Sequence, residues 1–224
     1  MLRDKLDAIY LAMEAINDGQ VAVEREFTYY GKIVDRSELE NAERREEQEQ
    51  WSLRVDNFKP VDDTRVQKYA GEIRVRRTRP LDGENHGTDR FMLTVKSFSP
   101  SADDAKKEAE LEITEDLFKM VRQIANGGMV KVRYYFPRTD GTTWEVDVFK
   151  DAEGNDYEWC KIDLEVEKDQ EAPTDFPIQI NDVINGDFRK RTEEERDQVK
   201  RLMDEVFVLK NQFAVEKQTN ENEG

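Results

Sequence analysis

The chain has 224 residues, of which 37% are hydrophobic and 38% charged, enough for one sizeable domain with appended helices. A formal net charge of -16 argues against a nucleic-acid surface, which needs clustered Lys and Arg, and favours partners that are cations or anions carrying metal. With a single cysteine, Cys160, no apolar run of membrane length and no signal-peptide core in the first residues, the expectation is a cytoplasmic protein without disulfides that engages neither membrane nor DNA.

Residues 2 to 17 place Leu2, Leu6, Ile9, Tyr10, Met13 and Ile16 on one helical face, predicting a packing helix within 1–19. Glu24 and Glu26 then alternate in VAVEREF as on a strand. The stretch from Gly31 to Gln50 is dense in charge and reads as an exposed helix or mobile loop, with a lid as the functional alternative. A strand is predicted from Trp51 to Phe58, ended by Pro60.

The segment from Glu72 to Lys96 reads as a hairpin around the turn-rich PLDGENHG. Side chains alternate across a strand, so Arg74 and Arg76, then Thr94 and Lys96, project to one face, while Ile73, Val75, Phe91, Leu93 and Val95 project to the other. A cationic face of this kind suits anions.

The pattern recurs with the sign of charge changing. Lys106, Glu108, Glu110 and Glu112 alternate before a helix over Glu115 to Asn126 that Thr114 can cap. Three strands follow, Met129 to Phe136, Thr143 to Lys150 and Tyr157 to Glu167. They carry Lys131 and Arg133, Glu145 and Asp147, and Asp163, Glu165 and Glu167 at alternate positions. From Pro173 the chain reads as irregular through IQINDVINGDF. Thr192 and Glu195 then form a capping box for a helix with Val199, Leu202, Met203, Val206, Phe207 and Phe213 on one stripe. If such strands close, one set of faces becomes an interior crowded with both signs of charge, costly to bury unless it is wet and answers a ligand.

In order and in type these pieces resemble the CYTH domain of the triphosphate tunnel metalloenzymes: VEREF, QKYAGEIRVRRTR, FMLTVKS, EAELEIT, a helix, KVRYYFP, WEVDVF and KIDLEVE. The resemblance implies an α+β fold, an eight-stranded antiparallel β-barrel or tunnel over 20–177. It leaves an N-terminal helix in 1–19, a C-terminal helical extension in 178–217 and a disordered tail in 218–224.

It also implies a phosphohydrolase of a triphosphate (inorganic, nucleoside or thiamine) that uses Mg²⁺ or Mn²⁺, and the oligomeric state is left open between monomer and homodimer. By the same resemblance Arg74, Arg76, Lys96, Lys131 and Arg133 would grip the phosphates. Asp147, Glu165, Glu167 and Glu112 would hold metal, with Glu24 beside them, and Glu110 and Glu145 would pair with the arginines. Glu24 or Glu26 would position the attacking water. One departure bears on catalysis. The family's Glu-x-Glu-x-Lys signature falls on Ala22, Glu24 and Glu26, or two residues on, on Glu24, Glu26 and Thr28, and in either register the lysine is absent. A noncatalytic nucleotide- or polyphosphate-binding protein and a class IV-type adenylyl cyclase are the alternatives.

Overall fold

The computed structural model describes residues 25–58, 69–84, 86–98, 107–125, 127–151, 153–166, 173 and 175–206; the predicted N-terminal helix and tail, and Glu24 and Glu167, lie outside them. The elements are β1 (Arg25–Ile33), a 3-10 helix (Arg36–Asn41), β2 (Arg44–Phe58), β3 (Tyr69–Pro80), β4 (Arg90–Phe98), β5 (Lys107–Glu112) and α1 (Glu115–Ile124). They continue as β6 (Gly127–Pro137), β7 (Thr143–Lys150), β8 (Asp156–Val166), β9 (Ile180–Asn185), a second 3-10 turn (Phe188–Lys190) and α2 (Glu193–Val206).

The strands form an antiparallel sheet in the order β5-β4-β3-β2-β6-β7-β8-β1-β9. The α+β, antiparallel character agrees with the sequence, and one feature corrects the strand number. The described residues form nine strands rather than eight. The additional strand is β9. Its register on β1 shifts between Tyr30 and Lys32, and Asp182 takes φ 52, so the two-residue period that betrays a strand is interrupted there.

A second correction concerns the charged stretch 31–50. It contains the 3-10 helix and, from Arg44, the first half of β2, with Glu46, Gln48, Glu49 and Gln50 all buried. Charge there is not a mark of solvent, because ionic and amide partners meet it on the sheet.

The chain divides into two compact units, one of Met1–Glu24, Gln50–Arg77 and Arg90–Asn126, the other of Arg25–Glu49, Thr78–Asp89 and Gly127–Gly224. In the first, β4 pairs with β5 so that Thr94 faces Glu110 and Lys96 faces Glu108. Helix α1 starts where Thr114 Oγ1 accepts from Leu117 N at 3.3 Å, a cap worth about 1 kcal/mol. It buries Leu117, Phe118 and Val121 and sets Phe118 against Phe91, ring centres 5.3 Å apart.

In the second unit, β6, β7, β8, β1 and β9 lie side by side. One face of β7 and β8 supplies Trp144, Val146, Val148, Cys160, Ile162 and Leu164 to a core closed by Leu39, Phe136 and Ile178. Burial pushes the Cys160 thiol up to about 12, so it stays a small protonated core residue. Helix α2 opens with the expected capping box, Thr192 N donating to Glu195 Oε2 at 2.6 Å and Glu195 N to Thr192 Oγ1 at 3.2 Å. Its Val199, Leu202 and Val206 pack on Tyr30, Met129, Phe149, Trp159 and Ile184.

Candidate functional site

The opposite face of the second unit carries the ions. The β6–β7 register sets Arg133 against Asp147 and Tyr135 against Glu145. On β8 and β1 it sets Thr28 against Asp163 and Tyr30 against Lys161. Every charged side chain at these alternate positions therefore points the same way, as the period of two requires.

They interlock. Arg133 donates through Nε to Asp147 Oδ1 at 2.7 Å and through Nη2 to Oδ2 at 2.9 Å, and through Nη1 to Glu145. Lys131 Nζ also donates to Asp147. One strand further, Lys161 pairs with Asp163, and its Nζ lies 3.8 Å from Glu26 Oε1. Thr28 Oγ1 donates to Asp163 Oδ1 at 2.7 Å. Asp147 is 0% exposed, Asp163 1% and Lys131 5%, so these are buried charges, tolerable only because each is paired and hydrogen-bonded.

The pKa shifts follow from that packing. For Asp147, burial would raise the carboxyl, but Arg133 and Lys131 outweigh it and hold it well below the usual range. Burial works against the Arg133 cation too, and Asp147 and Glu145 outweigh it and raise it. Lys161 is likewise raised, with Asp163, Glu26 and Asp147 overcoming its burial. Lys131 goes the other way. Burial first, then the neighbouring Arg133, push it down to about 7, because Asp147 is already shared with the guanidinium. Burial also raises Glu145, a tendency Arg133 opposes and Asp147 reinforces.

In the first unit Arg74, Arg76 and Thr94 of the predicted face meet at Glu110. Arg76 Nη2 reaches Glu110 Oε1 at 3.3 Å, Arg74 Nη2 lies 3.7 Å from the same oxygen, and Thr94 Oγ1 donates to it at 2.8 Å. Glu110 and Glu145 thus pair with arginines, as the resemblance implied. Arg76 Nε is buried without a hydrogen-bond partner. Lys96 and Glu108 face each other in the register of β4 and β5.

Of the predicted metal ligands, Asp147, Glu165 and Glu112 fall within the described residues. Both Asp147 oxygens accept from Arg133 or Lys131, Glu165 and Glu112 are exposed, and among the described residues no three Asp, Glu, His or Cys side chains converge on one point. Carboxylate oxygen is the right donor chemistry for Mg²⁺ or Mn²⁺, but both oxygens of Asp147 are already taken by Arg133 and Lys131. Sequence reasoning passed over Lys161, although KIDLEVE extends its alternation by one step to reach it. It also passed over the Arg44–Glu46 pair, for which the only signal was alternation within a run taken as solvated, and it met Thr28 only as the place of the absent lysine.

No protein-family model and no curated protein matches the chain. Solved structures similar to it include the inorganic triphosphatase NE1496, at 19% identity and TM-score 0.40, the match covering 76% of this chain and 91% of that one. Another is the PH1819 protein of Pyrococcus horikoshii, at 18% identity and TM-score 0.40, over 80% of this chain and 87% of that one. A third is a putative adenylyl cyclase of Hippeastrum, HpAC1, described as having a dominant triphosphatase activity, at 13% identity and TM-score 0.38, over 64% and 80%. Likeness at this level transfers no residue role and no activity. Among the described residues no helix is long and apolar enough to cross a membrane.

Proposed function

We propose that the second unit binds a triphosphate on its charged face and that the protein hydrolyses the terminal phosphate. The observation that supports this reading is the Lys131–Asp147–Arg133 cluster beside Lys161–Asp163. A core needing only stability is better served by apolar residues of similar volume, so retaining so many buried ions suggests that they answer an ionic ligand. Lys131, Arg133 and Lys161 supply ammonium and guanidinium donors along adjacent strands, a spacing that suits successive phosphate oxygens. Arg74, Arg76 and Lys96 are phosphate contacts proposed from the sequence resemblance.

Mg²⁺ or Mn²⁺ belongs to the proposal on grounds of charge. Three cations, Lys131, Arg133 and Lys161, face four carboxylates, Glu26, Glu145, Asp147 and Asp163, so a triphosphate needs further positive charge to settle there. In the hydrolytic reading a water oxygen bonds to the terminal phosphorus as its bridging P–O bond breaks and diphosphate leaves. Lys131 and Arg133 would stabilise the charge gathering on that leaving group. Glu26, held near Lys161, would orient the water and take its proton.

The absent signature lysine supports a second reading, a binder that sequesters nucleotide or polyphosphate without turnover. Incubation with Mg²⁺ or Mn²⁺ and inorganic, nucleoside or thiamine triphosphate separates the readings. Release of phosphate supports the hydrolase, binding without release the sequestering protein, and cyclic product with diphosphate a cyclase.

A further inference from the structure

Glu145 belongs to two settings. Its carboxylate accepts from Arg133 on the charged face, and it also lines a pocket of about 420 Å³ together with Glu43, Arg44, Tyr135, Pro137 and Thr143. Within this pocket the Arg44 guanidinium carbon lies 3.8 Å from the centre of the Tyr135 ring, a stacking distance. Glu46 fixes both halves of the stack, Oε1 accepting from Arg44 Nη1 at 3.0 Å and Oε2 from the Tyr135 hydroxyl at 2.8 Å. The Glu46 side chain is 10% exposed and that of Arg44 54%, so the guanidinium is held from beneath while its far side stays open. Two residues along β2, buried Gln48 donates through Nε2 to Glu46 Oε2 at 3.4 Å and so helps hold that carboxylate under the stack.

Position within the unit adds to this. Along the charged face, one end is filled by Tyr30, Met129, Phe149 and Trp159 packed under α2. The pocket stands at the other end. Tyr135 pairs with Glu145 and Arg133 with Asp147, so the backbones of Tyr135 and Arg133 stand one two-residue step, about 7 Å, apart, and the Arg133 guanidinium reaches the pocket-lining Glu145. A group attached to a phosphate chain on the ions therefore has the Arg44 end to occupy.

We propose that this pocket is a nucleobase subsite, with the base stacked on Arg44 and its exocyclic amino group donating to Glu145 or Glu43. The inference rests on the triphosphate reading above and narrows it to nucleoside triphosphates. A fixed guanidinium plane attracts a neutral, electron-rich ring, and arginine planes commonly stack bases. A thiamine ester carries its amino-bearing pyrimidine beyond a cationic thiazolium, and the thiazolium, next to the phosphates, would meet Arg44 with like charge. Inorganic triphosphate would leave the pocket empty. Two carboxylates at the rim favour rings that carry amino donors (adenine, guanine, cytosine) over uracil.

The test is calorimetric titration of the full chain, with Mg²⁺, by the β,γ-imido analogues of ATP and UTP and by diimidotriphosphate. The ATP analogue is expected to bind about tenfold more tightly than either of the others. Arg44→Ala should lower the ratio of ATP-analogue to diimidotriphosphate affinity by about tenfold, and Arg44→Lys, which keeps charge but loses the plane, should lower it as well. Diimidotriphosphate binding with no nucleotide preference, or a ratio that both variants leave unmoved, overturns the subsite and leaves the triphosphate reading standing. Binding of none of the three overturns both.

Discussion

Arg133 grips Asp147 with both ends of its guanidinium fork, Nε to Oδ1 at 2.7 Å and Nη2 to Oδ2 at 2.9 Å, on a carboxylate with no exposed surface. The planar fork matches the carboxylate bidentately, which a lysine cannot do. Lys131 adds a third donor to the same group. Asp147 is thus the anchor that allows two cations to be buried side by side. Asp147→Asn would leave Arg133 and Lys131 without their shared counter-charge and should destabilise the fold by about 3–5 kcal/mol. Equilibrium denaturant unfolding measures this; a loss under about 1 kcal/mol would mean that the cluster is solvated.

The same geometry sets a pH dependence. The Lys131 proton is disfavoured by burial and by Arg133, down to about 7 from 10.5, so between those values the unfolded chain holds a proton that the folded chain lacks. Stability from this group therefore rises with pH across that window. Asp147 acts at the acid end. Its folded carboxyl titrates below the unfolded value of 3.8, so its contribution is present above that value and is lost as pH falls below it. An anion bound beside Lys131 restores the missing proton, so triphosphate binding above about pH 7 should take up a proton and weaken as pH rises. Calorimetry in buffers of different ionisation enthalpy reads the uptake directly, and binding heats independent of buffer would show that Lys131 is not at the ligand.

Gly186 approaches Thr28 so closely that a Cβ would lie 2.3 Å from Thr28 Cβ and 2.5 Å from its carbonyl oxygen, where Gly186 N already donates at 2.6 Å. Thr28 in turn holds Asp163 through its hydroxyl. Gly186→Ala should therefore cost about 1–3 kcal/mol by displacing β1 locally, and should weaken triphosphate binding through Asp163 and Lys161. Thr28→Val, which keeps the shape and removes the hydroxyl, should weaken binding with a smaller loss of stability. Unfolding midpoints and affinities measured on both variants check the pair; a Gly186→Ala protein of unchanged stability would show that β9 yields freely.

Much of the second unit was legible because a strand repeats every two residues. Lys131 with Arg133, and Glu145 with Asp147, share a face by spacing alone, and the structure brings those four together. The interruptions are where legibility failed. Asp182 at φ 52 and the shifted β1–β9 register hid β9. The charge of Arg44 to Gln50 disguised the start of β2, because hydrophilic residues that find partners across a sheet look, one by one, like a solvated loop. Cross-strand pairing decides whether a carboxylate is free to bind metal or is held by a guanidinium, and pairing is not written in local sequence. Asp147 shows this most plainly.

Titration of the full chain with diimidotriphosphate and Mg²⁺, set beside Lys131→Met, tests the central claim most directly. Methionine matches the stem of the lysine without its charge and leaves Asp147 paired with Arg133, so the fold is kept. The account predicts saturable binding to the wild-type chain and an affinity lower by about tenfold or more in the variant, the scale of one charge-assisted hydrogen bond. No binding by the wild-type chain, or equal affinity in the variant, would contradict it.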